Sequence, residues 1–349
     1  MRNDILCIDV GSTNIKYALY TDFHRRGGGS LPFPAPCRSG DGFFEVRTQE
    51  IVGAVTRIIR DAPGGCGVLF SVQMHGHVLS GRRDIYVSWR DTRSQKGDVF
   101  THCRRDLARY FSAASGTSLK PNLAVCSLLY DMHRGLPVQG ELFSLGSYLA
   151  FALTGNNIAH ESDLAALGFY LRGGQENGAL LAALPYSVIL PRCTAFPQAC
   201  GVFEGHTVYT PFGDQQCSVF ALRAGHAAVL NVGTAAQICR VEDGLCAGDY
   251  ESRPYFGDTT LCTRTGLAGG ACFAERGADA AALCAEYRAA FEAVGARGRA
   301  VCTGGAFAFY GKELAEAVRR CGLQPEFAGA DALDGLMMIY REYLWKQER

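Results

Sequence analysis

Residues 5–20 read ILCIDVGSTNIKYALY, and residues 227–241 read AAVLNVGTAAQICRV. Each is a short apolar run, a turn that sets glycine beside a hydroxyl residue, and a second apolar run, which is the pattern of a β-hairpin. The two stretches head two cycles of the chain. After the first come a Gly- and Pro-rich stretch from Gly27 to Gly42, read as a loop, and a helix over Gln49–Ala62 with Ile51, Val52, Val55, Ile58 and Ile59 on one face. A buried strand at Val68–Phe70 follows, then helical patterns at Ser94–Phe111, Leu142–Leu153 and Asp163–Leu171, and an irregular stretch from Leu184 to Cys200. The second cycle begins near Val208 and holds a helix over Asp214–Leu222, the second hairpin, and an alanine-rich helix within Gly277–Val294. A strand at Arg299–Cys302, a helix opened by Thr303-Gly304-Gly305 and a last helix from Ala332 to Trp345 complete it. This order predicts an α/β protein of two domains, residues 1–224 and 225–349. The likeness between the cycles is one of pattern, not of residue identity.

Length and composition agree. At roughly 100–200 residues per domain, 349 residues make two domains. Lys+Arg and Asp+Glu both number 34, so no net field exists to draw nucleic acid or an anionic membrane. With 48% hydrophobic and 19% charged residues the chain is expected to fold around large interiors. Glycine, at 42 residues, exceeds the usual share of about 7%, which calls for many tight turns. The 15 cysteines are odd in number, none stands in a C-x-x-C spacing, and Cys7, Cys217 and Cys302 lie inside apolar runs. They read as small hydrophobes in a reducing compartment, not as a disulfide framework or a zinc site. No run of about 18 apolar residues occurs and Asp4 interrupts the N-terminus, so a cytoplasmic protein is expected.

Three glycine turns are candidates for holding phosphate: Asp9-Val10-Gly11-Ser12-Thr13, Gly233-Thr234 and Gly304-Gly305. Glycine lets backbone N–H groups approach an anion, and neighbouring hydroxyls add donors. Taken singly, each also reads as an ordinary hairpin turn or helix start. No P-loop motif is present. Asp9, at the end of a buried strand, suits Mg²⁺ held mostly through water and substrate phosphate, or else it accepts from its own turn. Lys16 is a strand-face cation or a phosphate contact. Asp214, in PFGDQQ, is either an N-cap or a general base for an attacking hydroxyl, with Gln215 beside it. Gln73-Met74-His75-Gly76-His77 and Ser88-Trp89-Arg90-Asp91-Thr92-Arg93 each follow a short strand. Together they offer the donors, acceptors and aromatic face that a polyhydroxylated ligand requires.

With these residues assembled, the chain resembles the FGGY carbohydrate kinase family, whose fold is of the actin and hexokinase type. The resemblance rests on IDVGSTNIKYAL, SVQMHG, SWRDTRS, LTGNNIAHESDLAALG, PFGDQQCSVFALRAG, NVGTAAQI and CTGGAFAFYGKELAEAV, in family order across most of the chain. Its most specific elements are QMHG, W-x-D-x-R and GDQQ, which look most like the branch that phosphorylates ketoses such as xylulose or sedoheptulose. The resemblance implies two actin-like, ribonuclease H-like domains with an interdomain cleft, and ATP and Mg²⁺ as cofactors. By position it makes Asp214 the catalytic base and Asp9 the magnesium-linked aspartate. Gly11, Ser12, Thr13 and Lys16 match the first phosphate loop, Gly233 and Thr234 the second, and Gly304 and Gly305 the adenosine-side turn. Gln73, Met74, His75, Trp89, Asp91, Arg93 and Gln215 fall to the sugar side. The implied partners are a small sugar and ATP, with a homodimer as a further expectation.

The chain also departs from the family. The stretch between Gly270 and Thr303 is short, so a reduced second domain is expected, and TGGAFAFY sets Phe307 and Phe309 where small polar residues are common. A non-catalytic sugar-binding or regulatory protein is therefore the alternative reading. An ATPase or acyl-phosphate enzyme of the same superfamily is disfavoured, because it has no use for QMHG and W-x-D-x-R.

Overall fold

The computed structural model describes residues 4–82, 84–111, 116–233, 235–244 and 250–345. The chain divides into two compact units, Met1–Ala221 with Ala332–Arg349, and Leu222–Asp331. The C-terminal segment, assigned to the second domain from its place in the sequence, instead packs with the first. Its helix Ala332–Ile339 lies on strands Asp4–Val10, Asn14–Thr21 and Gly67–Val72. The reason is apolar: Leu333, Leu336 and Ile339 are buried, and burial of such side chains contributes about 1.5–3 kcal/mol each.

The first unit is built on a seven-stranded sheet. Its order is Ala199–Phe203, His206–Tyr209, Gly67–Val72, Asp4–Val10, Asn14–Thr21 and His24–Pro32, with Phe212–Gly213 also pairing on Gly67–Val72. The hairpin Asp4–Thr21 is antiparallel, and Gly67–Val72 runs parallel to its first strand. Helix Thr48–Arg60 covers the sheet with Ile51, Val55, Ile58 and Ile59, the face its periodicity predicted. The stretch read as a loop is partly strand, because His24–Pro32 completes the sheet as an exposed edge that Gly27, Gly28 and Gly29 cross. Gly28 and Gly29 lie so close to Tyr17 that a Cβ at either would stand 2.3 and 2.6 Å from it, which is why this strand lacks the apolar alternation that would have revealed it. The helix expected over Leu142–Leu153 begins at Leu145, because residues 142 and 143 end a strand, Gln139–Phe143, that runs ahead of it.

The second unit repeats the connectivity. Its six-stranded sheet runs Glu251–Pro254, Thr259–Leu267, Ala236–Asp243, Ala228–Val232, Arg299–Thr303 and Gln324–Phe327. Again a hairpin pairs antiparallel with a further strand, Thr259–Leu267, which here comes after the edge strand Glu251–Pro254, and a helix (Ala280–Ala293) leads to a strand parallel to the first. Leu230, Val232, Ile238, Tyr287, Phe291, Leu314 and Val318 fill its core. The likeness seen as pattern in the sequence is therefore a likeness of strand order.

Candidate active site

In the first unit, three strand ends meet at one sheet edge. Asp9 pairs in register with Ser71 on the parallel neighbour, and Phe212 pairs with Ser71 from the other side, which leaves Gly213 opposite Val72. Ser71 Oγ donates to Asp9 Oδ1 at 2.8 Å. The first glycine turn is clamped from both sides: Gly11 N–H donates to Asn14 O at 3.1 Å, and Gln73 binds across it, N–H to Val10 O at 3.1 Å and Nε2 to Gly11 O at 3.3 Å. Gln73 is buried, and its Oε1 has no hydrogen-bond partner among the described residues. Ser12 is half-buried; Thr13 and Lys16 are exposed, Lys16 on the strand directly opposite Asp9.

Asp214 opens helix Asp214–Leu222 immediately after the strand Phe212–Gly213. Its neighbours Gly213 and Gln215 are buried while Asp214 is only half-buried. Asp214 Oδ1 accepts from Gln215 N–H at 2.8 Å. Gly213 allows this packing: a Cβ there would sit 2.6 Å from Gln216 Oε1, 2.8 Å from Ser162 O and 3.1 Å from Met74 Sδ. Met74 is thus seated beside the residue that precedes the aspartate. His75 follows it with φ of 71°, a left-handed backbone that a non-glycine residue adopts at a cost of about 1–3 kcal/mol. His77 bridges Val87 through two backbone hydrogen bonds of 2.9 Å, which sets the QMHG loop beside the segment that leads to Trp89. Burial pushes the His77 imidazole down to about 3, helped by Arg93 and Arg82, so it is neutral and structural. Trp89 stands 39% exposed.

Asp91 and Arg93 do something other than line a pocket. They are 0% and 1% exposed, and Arg93 is the centre of an ion network. Its Nε and Nη2 reach Asp91 at 2.9 and 2.8 Å, Nη1 reaches Asp131 at 3.0 Å, and Nη2 reaches Glu45 at 2.7 Å. Asp91 also accepts from the backbone N–H of Phe44 and of Arg93. Burial opposes the guanidinium charge, but the bonds and charges of Asp91, Asp131 and Glu45 raise its proton affinity further. The expectation of ligand contact is corrected here. Charge pattern alone could not tell a ligand-facing pair from one spent on three protein carboxylates.

In the second unit a glycine cradle forms where strands Ala228–Val232 and Arg299–Thr303 end. Gly304, at φ of 107°, lies so close that a Cβ would stand 2.4 Å from Val232 O. Gly269 would meet Ala235 backbone at 2.5 Å, and Gly270 would meet Gly233 O at 2.9 Å. The turns are tied together by Gly270 N–H to Gly233 O at 2.8 Å and Ala306 N–H to Val232 O at 3.0 Å. Gly305 is exposed. Thr234 lies outside the described residues. Gly269 and Gly270 were not among the sequence candidates; their signal was the run TGLAGG at 265–270, glycines that follow the hydroxyl residue Thr265. Phe307 packs on the second core and on Phe327 (ring centroids 5.5 Å apart), while Phe309 is 83% exposed, so neither ring is seated as a plug in the turn.

No family model matches the sequence, and no curated protein matches it either. Solved structures do. The chain is similar to gluconate kinase from Lactobacillus acidophilus, with a TM-score of 0.83 and 14% identity over 98% of this chain and 89% of that one. It is similar to ligand-bound xylulose kinase from Lactobacillus acidophilus, with a TM-score of 0.81 and 15% identity over 97% and 89%. The fold is the actin-like fold of sugar kinases. Plasmodium falciparum glycerol kinase, solved with ADP, shares it with a TM-score of 0.76 and 11% identity over 97% and 88%. In the actin-like fold the two hairpins and their glycine turns occupy corresponding places of the two units, as the sheet orders above make plain.

The residues suit a magnesium nucleotide. Gly269, Gly270 and Gly304 let the two turns pack backbone on backbone, and glycine turns at strand ends are where N–H groups can approach phosphate. Asp9 is a strand-end carboxylate of the kind that binds magnesium together with substrate phosphates. Among the described residues no group of three or more His, Cys, Asp and Glu side chains is gathered for a metal ion. No helix among them is long and apolar enough to cross a membrane.

Proposed function

We propose that the protein is an ATP-dependent carbohydrate kinase of the FGGY type that phosphorylates a hydroxyl of a small sugar, with a ketose such as xylulose or sedoheptulose as the first candidate. The observation that carries the reading is the mounting of Asp214. It is a half-buried carboxylate at a strand end, preceded by a glycine that tolerates no side chain, with Met74 packed against that glycine and Asp9 two strands away. The similarity to gluconate, xylulose and glycerol kinases supports the same class of substrate.

In this reading Met74, His75, Gln73, Trp89 and Gln215 orient the sugar, and Asp214 takes the proton of the attacking hydroxyl as the bond to phosphorus forms. Gly233, Gly269, Gly270 and Gly304 shape the cradle for the nucleotide phosphates, with Gly11, Ser12, Thr13 and Lys16 as the matching turn of the first unit. Asp9 would hold Mg²⁺ through water, and the ion would supply neutralisation of phosphate charge. Asp91 and Arg93 serve by fixing the segment that carries Trp89. The short stretch between Gly270 and Thr303 marks a reduced second domain. ADP release measured with D-xylulose, sedoheptulose, D-gluconate and glycerol tests the reading: turnover of one of them that Asp214→Ala abolishes supports it, and no turnover of any sugar or polyol overturns it.

A further inference from the structure

The stretch His160-Glu161-Ser162-Asp163 has no part in the roles above, yet it is bonded to the strand end that carries Asp214. His160 N–H donates to Pro211 O at 3.1 Å, and Gly213 N–H donates to Ser162 Oγ at 3.2 Å. The stretch is itself held rigidly. His160 Nδ1 lies 2.9 Å from Ser162 Oγ, its Nε2 lies 3.0 Å from Ala195 O, and its ring packs on Phe212 with centroids 5.2 Å apart. Asp163 is 1% exposed, and its Oδ2 accepts from Ser144 Oγ at 2.5 Å. A Cβ on Gly146 would stand 2.5 Å from that same oxygen, so the carboxyl is locked between a helix start and the strand end.

We infer that Ser162 and Asp163 are positioning residues for Asp214: Ser162 fixes the backbone from which the base departs, and Asp163, next to it and locked by Ser144, sets a second buried carboxyl on the same stretch. This rests on Asp214 being the base. The charge argument is reciprocal. Burial pushes the Asp163 carboxyl up to about 7, Ser144 lowers it, and Asp214 raises it further, so each carboxylate makes the other hold a proton more tightly. The other ionisable groups facing Asp163 are Tyr86, Tyr170 and Cys193, all kept neutral by burial. The adjacent Glu161 is also pushed up to about 7 by burial and lowered by Arg172, so Glu161→Gln is measured beside Asp163→Asn to separate the two titrations. Below neutrality Asp163 is therefore a neutral spacer, and above it a charge that favours proton uptake by Asp214.

Full-length Ser162→Ala and Asp163→Asn, assayed by ADP release with Mg-ATP and the sugar that the parent turns over, test this. Ser162→Ala should lower kcat roughly 10–100-fold with sugar KM changed less than about threefold, the signature of a misplaced base. Asp163→Asn, which keeps the shape, should match the parent at pH 6 and fall about threefold behind by pH 8.5. A packing role alone gives a ratio that does not vary with pH, and that result, or an unchanged kcat in Ser162→Ala, overturns the inference. If the parent turns over no sugar, the kinase reading fails, and two measurements without turnover still decide this one. Amide exchange at Gly213 should quicken in Ser162→Ala, and the ¹³C shift of the Asp214 carboxyl should show a second inflection near pH 7 in the parent that Asp163→Asn loses. Unchanged exchange, or an inflection that persists, is the contrary result.

Discussion

Gly335→Ala examines how the tail helix seats the helix that begins with Asp214. A Cβ at Gly335 would stand 2.0 Å from Cys217 O, 2.7 Å from Cys217 C and 3.2 Å from its Cα, all backbone atoms of helix Asp214–Leu222. A carbon and a carbonyl oxygen in contact need about 3.2 Å or more, so the two helices must part by roughly 1 Å. Overpacking of this kind costs about 1–3 kcal/mol, and at about 2–4 °C per kcal/mol for a unit of this size the melting midpoint should fall roughly 2–12 °C. The same displacement moves Asp214, and a 1 Å error at a reacting group lowers turnover on the order of a hundredfold. Differential scanning calorimetry and ADP release would be read together. Gly53→Ala is the control: Gly53 lies within helix Thr48–Arg60, nothing is within 4 Å of its missing Cβ, and alanine should stabilise by about 0.5–1 kcal/mol. Gly335→Ala with the parent's midpoint and turnover would refute the claim that this crossing positions the base.

Other perturbations separate the remaining parts. Arg93→Met leaves the buried Asp91 without its ion pair and leaves Glu45 and Asp131 with Arg82, and should cost about 3–5 kcal/mol in urea unfolding, far more than loss of one ligand contact would. Gly304→Ala places a Cβ 2.4 Å from Val232 O on a backbone at φ of 107°, and should weaken MgADP binding by calorimetry at least about tenfold; Gly305→Ala, with nothing within 4 Å, should not. Asp163→Asn should raise stability at pH 8. The parent's carboxyl binds its proton more tightly folded than unfolded, so its stabilising effect is full below about pH 4 and lost as pH rises through about 7. The buried His77 and His160, pushed down to about 3 and 4, act oppositely, losing stability as pH falls below about 6.5. Burial pushes the Glu161 carboxyl up to about 7 as well, so two carboxyls offset two histidines and the parent's melting midpoint should change little between pH 4.5 and 6.5, whereas that of Asp163→Asn should fall with acidification.

Where local pattern and tertiary contact agree, the sequence was legible. The two hairpins, the amphipathic helix at Thr48–Arg60 and the helix that opens at Asp214 all follow from spacing that repeats over several residues. His24–Pro32 was not legible, because its strand state comes from pairing with Asn14–Thr21 and its three glycines carry no alternation. Nor was the return of Ala332–Ile339 to the first unit, since an apolar helix does not announce which sheet it covers. In the site, Asp9, Asp214 and the glycine turns stood out by chemistry and place. Asp91 and Arg93 misled because their partners, Glu45 and Asp131, are remote in sequence. Ser162 and Asp163 passed unread for the same reason: their bonds to Gly213 and Ser144 join segments that only the fold brings together.

The central claim is that Asp214 takes a proton from a sugar hydroxyl during phosphoryl transfer. It is tested most directly by comparing parent and Asp214→Ala for ADP release with the accepted sugar, alongside calorimetric binding of that sugar. The account predicts that turnover falls at least about a hundredfold while sugar affinity changes less than about threefold. Equal turnover in the two proteins would contradict it.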